Sequence, residues 1–212
     1  MKFIELNRRF RNITEEELNS PELFAAFGEQ FYDYKTDDWA KLLESYRVVL
    51  LAEAGSGKTE EMKAQSTRLC QEGKYSFYAD LASLAQNSLH DLLSVDDESK
   101  FNAWKIDHDT PAWFFLDSVD ELKLAQGKLK LALNRFSKDI AGQINRAHVI
   151  ISCRPSDWKF DLDLETVQKL LPVSSAAPDS ADLTGEELFL AAFSRDEERQ
   201  KEDLMCNSFK LD

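Results

Sequence analysis

Residues Arg47–Thr59 read RVVLLAEAGSGKT. Val48–Leu51 is a short apolar run, β-branched at its start, which suits a strand buried on both faces. The run breaks into Ala54, Gly55, Ser56, Gly57, Lys58 and Thr59, and a polar, helix-prone segment follows. Strand, glycine loop and helix in that order make the context a phosphate-binding loop needs. Two glycines let the backbone turn tightly and aim its N–H groups at anionic oxygens. The helix N-terminus adds its partial positive charge at the same spot. In the pattern G-x-x-x-x-G-K-[ST], Lys58 reaches the β- and γ-phosphates and the Thr59 hydroxyl ligates Mg²⁺. The first glycine of that pattern is Ala52 here, the mildest departure provided the position needs no positive φ. The competing reading is a Gly/Ser turn before a surface helix. The strand ahead of the loop, and an acidic motif later in the chain, weigh against it.

That later motif is Phe114–Glu121, FFLDSVDE, an apolar strand ending in acids. Phosphoryl transfer needs a carboxylate to hold Mg²⁺, usually through water, opposite the hydroxyl ligand. Asp117 at the strand tip is the candidate. Water attack needs a base or an orienting group, and Asp120 and Glu121 lie three and four residues on. The alternative is structural: Asp117 or Ser118 as a helix N-cap, with acids in the first turn. Arg154 follows a third apolar strand, where its guanidinium can approach a γ-phosphate and sense hydrolysis. Its alternative is a salt bridge to one of many acids. Trp39, Trp104, Trp113 and Trp158 read as core or half-buried anchors.

Composition narrows the classes. The chain has 212 residues and 43% hydrophobic content, with 14 Phe, enough for one domain with appendages and a real core. No run of 18 apolar residues offers a membrane span, and the first residues lack a secretory core. Cys70, Cys153 and Cys206 are far apart, which fits free thiols in a cytoplasmic protein and no zinc site. A formal charge of −13 argues against general nucleic-acid binding.

Along the chain, residues 1–45 are expected to be a helical segment. Thr14 with Glu17 offers a capping box, Ser20-Pro21 starts an amphipathic helix over 21–32, and a second helix covers Asp38–Ser45. Residues 46–173 hold the core. Val48–Leu51, Tyr75–Ala79, Trp113–Leu116 and His148–Ser152 read as strands. Lys58–Glu72, Asp80–Leu93 and Leu122–Ala141 read as helices, with a short helix and loop within 94–110. Asp157–Val173 fits either a strand or a helix. Residues 174–212 read as a linker and a charged helical segment, with Thr184 and Glu187 capping a helix over 185–193. The alternation implies an α/β fold, a doubly wound and mostly parallel sheet with helices on both faces. Ligands of such sheets sit beyond the strand C-termini, where the loop at 52–59, Asp117 and Arg154 all fall.

LLAEAGSGKT, FFLDSVDEL and VIISCRP, in this order and spacing, resemble the NACHT-type branch of the STAND nucleoside-triphosphatases, and YSFYADLASL is similar to the family's second strand. The resemblance covers about residues 45–157. It implies a signal-transducing P-loop ATPase, a class that in bacteria often serves antiphage defence, with ATP and Mg²⁺ as cofactors and self-association through the core. By resemblance, Ala54–Glu60 bind nucleotide, with Lys58 and Thr59 in the loop roles. Asp117 takes the Mg²⁺ role, Asp120 or Glu121 the catalytic role, and Arg154 the sensor role. Three departures matter: Ala52 for Gly, Ser118 where Gly is common, and Glu60 where a small hydroxyl residue is common. Glu60 suits the helix field but repels an α-phosphate, which predicts modest affinity. Family members continue into a fifth core strand, a helical or winged-helix module and an effector. No fifth strand is legible here, and the chain is expected to be a fragment or a truncated reading frame.

Two other readings stand beside a slowly hydrolysing ATP switch. One is a nucleotide-gated interaction module without turnover. The other is an AAA-type ATPase acting on nucleic acid, which the acidic balance disfavours.

Overall fold

A computed structural model describes residues 9–13, 37–53, 55–117, 128–173 and 189–193. Its centre is a six-stranded sheet in the order β1-β6-β2-β5-β4-β3. The strands are β1 (Phe10–Asn12), β2 (Arg47–Leu51), β3 (Tyr75–Asp80), β4 (Ala112–Asp117), β5 (Ala147–Cys153) and β6 (Phe189–Phe193). All neighbouring pairs are parallel except β1 with β6. Every residue of β2 and β5 is buried, as the near-continuous apolar runs of a parallel sheet require.

Alternate residues of the strands feed two cores. Val48, Leu50, Phe115 and Ile150 point to one face, where they meet α1 (Trp39–Glu44) and α2 (Lys58–Gln71) through Trp39, Leu42, Leu43, Met62 and Leu69. Val49, Leu51, Phe77, Phe114, Leu116 and Ile151 point to the other. There they pack against α3 (Leu81–Leu84), α4 (Leu89–Leu92), α5 (Val95–Ile106), α6 (Lys128–Asp139) and α7 (Phe160–Leu170). The chain is therefore α/β with helices on both faces. The second core is rich in rings: Phe114 lies 5.2 Å from each of Phe77, Trp104 and Phe136.

Local chemistry sets the helix bounds. Asp38 caps α1 by accepting from the Lys41 N–H at 3.0 Å. Gly73, at φ +78°, ends α2 in a Schellman turn: the Gly73 N–H reaches Cys70 O and the Lys74 N–H reaches Leu69 O. The helix expected over Asp80–Leu93 divides into α3 and α4, because Ser88 starts a new helix with a capping box to Asp91. The open alternative at Asp157–Val173 resolves as α7, which buries Val167.

Two expectations are corrected. The segment 185–193 was expected to be helical and no fifth parallel strand was expected, yet Phe189–Phe193 is a strand paired in parallel with β2. Its run FLAAF is apolar throughout, the sequence pattern of a strand in a parallel sheet. Such tertiary pairing overrides the helix signal of the capping box. The sheet thus extends beyond 46–173. Within 1–45, Phe10–Asn12 is likewise a strand, paired with β6 and tied to the start of α1 by reciprocal bonds between Phe10 and Asp37 at 2.8 and 2.7 Å. The expected helix over 21–32, the Thr14 and Thr184 caps, and residues 122–127 at the start of the expected 122–141 helix lie outside the described residues.

Candidate functional site

The register builds one polar row along the C-terminal edge of the sheet. Asp80 on β3 pairs with Asp117 on β4. Leu116 pairs with Ile151, so Asp117 stands beside Ser152 on β5, and Ser152 pairs with Leu50 on β2. One strand therefore separates the acid strand from the loop strand. At a spacing of about 4.8 Å per strand, Asp117 lies about 10 Å across the sheet from Leu50. The row faces the α1 and α2 side, just beyond Tyr78, Phe115, Ile150 and Val48.

The loop leaves β2 at this edge. The Ala52 N–H donates to Cys153 O at 3.2 Å, which ties its first residue to the tip of β5. Among the described residues only glycines have positive φ, so alanine at position 52 brings no backbone strain. Gly55 (φ +76°) and Gly57 (φ +89°) do need that freedom, and Gly57 is the N-cap of α2. Lys58 is buried, and its ammonium donates to Ala52 O at 2.8 Å and Glu53 O at 3.1 Å. Ser56 is also buried and Thr59 half-buried. Glu60 points outward, 3.6 Å from Lys63. Its charge faces a cation on its own helix, which tempers the repulsion expected for an α-phosphate. Ala54 lies outside the described residues.

Asp117 is fully buried, and both of its oxygens are engaged. The Ser152 hydroxyl donates to one and the Tyr78 hydroxyl donates to the other at 2.9 Å. Burial, then the Asp117 charge, pushes the Tyr78 phenol well above its ordinary range, so it stays a donor. Asp80, in contrast, caps α3 through the Ala82 and Ser83 N–H groups, both at 3.0 Å. Arg154 follows β5 directly, half-buried, and its carbonyl opens the 3-10 turn Pro155–Asp157. Beside it, Cys153 is pushed up to about 12 by burial first, then by Asp157 and Asp163.

The structure thus gathers the loop with Lys58 and Thr59, Asp117 and Arg154 at one edge. Asp120 and Glu121 lie outside the described residues. Three site features were missed in the sequence. Ser152 and Tyr78 were hidden inside apolar strands, where a lone hydroxyl near a strand tip was the available signal. Glu61, next to the Glu60 that drew attention, is buried and accepts from Trp39 Nε1 at 3.0 Å.

Among the described residues no group of three or more His, Cys, Asp or Glu side chains gathers as a metal cage. Mg²⁺ on phosphates needs less: one or two carboxylate or hydroxyl oxygens, the rest being water and phosphate. Asp117 and Thr59 are donors of that kind. Two hydroxyl bonds leave Asp117 about two of its roughly four lone-pair directions for a water-mediated contact. The donor set fits the ion. No helix among the described residues is long and apolar enough to cross a membrane.

No family model matches this chain, and no curated protein matches it. Among solved structures, the cytoplasmic domain of EssC is similar over 92% of this chain at 16% identity, with a TM-score of 0.33. The chain spans 38% of that structure's length.

Proposed function

We propose that the chain is a P-loop nucleoside-triphosphate-binding switch module of the NACHT-type STAND kind, which binds ATP with Mg²⁺ and hydrolyses it slowly. The observation that carries the reading is the shared edge. The glycine loop leaves the end of β2, and the buried strand-tip Asp117 stands about 10 Å across the sheet from β2 with one strand between them. In this reading the loop N–H groups and the N-terminus of α2 hold the phosphates. Lys58 exchanges its two carbonyls for phosphate oxygens. Mg²⁺, when bound, neutralises charge developing on the phosphates. Thr59 and Asp117 set where that charge is met. Arg154 reports the γ-phosphate, and Asp120 or Glu121 orients the attacking water. A cytoplasmic setting, self-association through the core and a role in antiphage defence rest on the sequence resemblance alone.

Isothermal titration with ATP tests the first step. Lys58→Ala is expected to lose at least tenfold in affinity, equal to about 1.4 kcal/mol. Unchanged affinity in that variant refutes the site.

One observation favours a second reading, a nucleotide-gated module without turnover. The Lys58 ammonium is buried against its own loop, so binding must first break two hydrogen bonds. Phosphate release over hours, with and without Mg²⁺, separates the readings: Lys58-dependent turnover excludes the second.

A further inference from the structure

We infer that Tyr78 is a positioning residue for Asp117, and that it couples the metal-facing acid to the phosphate-loop helix. The inference rests on the nucleotide reading above.

Tyr78 lies on β3, the edge strand on the far side of β4 from the loop. It pairs in register with Phe115, two residues before Asp117. Its phenol therefore reaches diagonally along the same face, a reach of about 7 Å that a long aromatic side chain spans. The O–H ends 2.9 Å from one Asp117 oxygen while Ser152 holds the other. Two donors from the two strands flanking β4 fix both the rotation and the tilt of the carboxylate. One donor alone would leave the carboxylate free to swing about that bond.

The ring is held in turn. It packs against the cluster of Trp39, Phe115 and Met62, and the Lys63 ammonium lies 5.4 Å from its centroid. Lys63 sits on α2, four residues after Thr59. The helix that carries the hydroxyl ligand thus braces the tyrosine that aims the carboxylate. A shift of α2 on nucleotide binding would be felt at Asp117 through this one side chain. Tyr78 touches no phosphate in this account, so its removal acts on the metal and not on the nucleotide.

The test compares Tyr78→Phe, which keeps the ring and the Lys63 contact, with wild type and Lys58→Ala in the full chain. ATP affinity is measured in EDTA, and the MgCl₂ concentration for half-maximal enhancement of ATP binding is measured separately. Loss of an outer partner of a metal ligand weakens metal affinity by about 10- to 100-fold. Tyr78→Phe is therefore expected to raise the Mg²⁺ midpoint about tenfold while its metal-free ATP affinity stays within twofold of wild type. A wild-type midpoint in Tyr78→Phe, with Lys58→Ala still losing ATP, overturns the positioning role and leaves the nucleotide site standing. Equal losses in EDTA and in Mg²⁺ also overturn it, since they mark a structural role. Lys58→Ala binding ATP like wild type, or no Mg²⁺ dependence in wild type, overturns both readings. If Tyr78→Phe fails to fold by circular dichroism, Lys63→Met on the helix surface carries the test. Because Lys63 also neighbours Glu60, its metal-free ATP affinity is measured alongside; the midpoint is expected to rise two- to threefold beyond any change in that affinity, and no such rise overturns the inference.

Discussion

Removing the Ser152 hydroxyl measures how far the buried carboxylate depends on its donors. Ser152 and Asp117 are both 0% exposed, and the hydroxyl donates directly to the acid. A hydrogen bond to a charged acceptor contributes about 1.5–3 kcal/mol net, and the buried carboxylate left behind keeps one of its two hydroxyl donors. The cavity from one oxygen is small, and the methyl of alanine suits its surroundings, which offsets a few tenths of a kcal/mol. Ser152→Ala is thus expected to destabilise by about 2 kcal/mol. With a urea slope of about 2–3 kcal/mol/M, the midpoint should fall by about 0.7–1 M. The internal control is Ser76→Ala. Ser76 is equally buried, but its hydroxyl meets the neutral Ser66 hydroxyl at 3.0 Å, and its loss is expected to cost about 1 kcal/mol or less. A double-mutant cycle with Asp117→Asn should show a coupling of about 1–2 kcal/mol, because the hydroxyl matters less to a neutral acceptor. If Ser152→Ala costs no more than Ser76→Ala, the charge at Asp117 is not what the hydroxyl serves, and the reasoning about the polar row fails.

Three other perturbations probe the frame around the site. Arg47 is 2% exposed and its guanidinium donates to the carbonyls of Tyr46, Ile144, Leu171 and Pro172, so Arg47→Lys loses the fork and should lower the thermal midpoint by about 6–12 °C. His148 is stacked between Tyr46 and Trp113, and burial, with Arg47 adding to it, holds its pKa below 6.5. The unfolded chain then binds the extra proton, so this contribution is complete above pH 6.5 and is lost as pH falls from there towards the lower folded value. His148→Gln should flatten that part of a stability-against-pH curve. Cys153, pushed up to about 12, carries about one thiolate in ten thousand at pH 8, so iodoacetamide and peptide mapping should find Cys70 modified well before it.

The site's loop and acid were legible because their chemistry is local. Arg47–Thr59 carries strand, glycines, lysine and hydroxyl in one stretch, and the apolar run before Asp117 announces a strand tip. Tyr78 and Ser152 were not legible, since what makes them matter is register: each stands next to Asp117 only because β3 and β5 flank β4. The split at Ser88 shows the limit of periodicity. Leu81, Leu84, Leu89 and Leu92 keep a helical rhythm across a break that only the Ser88 to Asp91 cap reveals.

The fifth parallel strand failed for a related reason, and it yields the test that most directly separates strand from helix. Phe189–Phe193 follows a capping-box sequence, so local signals favour a helix. Its pairing partners, at residues 48–51 and 10–12, are distant in sequence. Ala191 is paired on both edges, with Asn12 and with Leu50, so Ala191→Pro must remove one ladder bond. The orphaned ladder acceptor alone is expected to cost about 1–3 kcal/mol. The location of the damage is more telling than its size. About half the backbone bonds of β2 go to β6 and the rest to β5, so amide hydrogen exchange should quicken in peptides covering Arg47–Leu51 before those covering Ala112–Asp117. A helix at 185–193 would also be broken by proline, but it shares no ladder with β2. Unchanged protection in β2 beside a destabilised chain would therefore remove β6 from the sheet, and leave the loop strand at its edge.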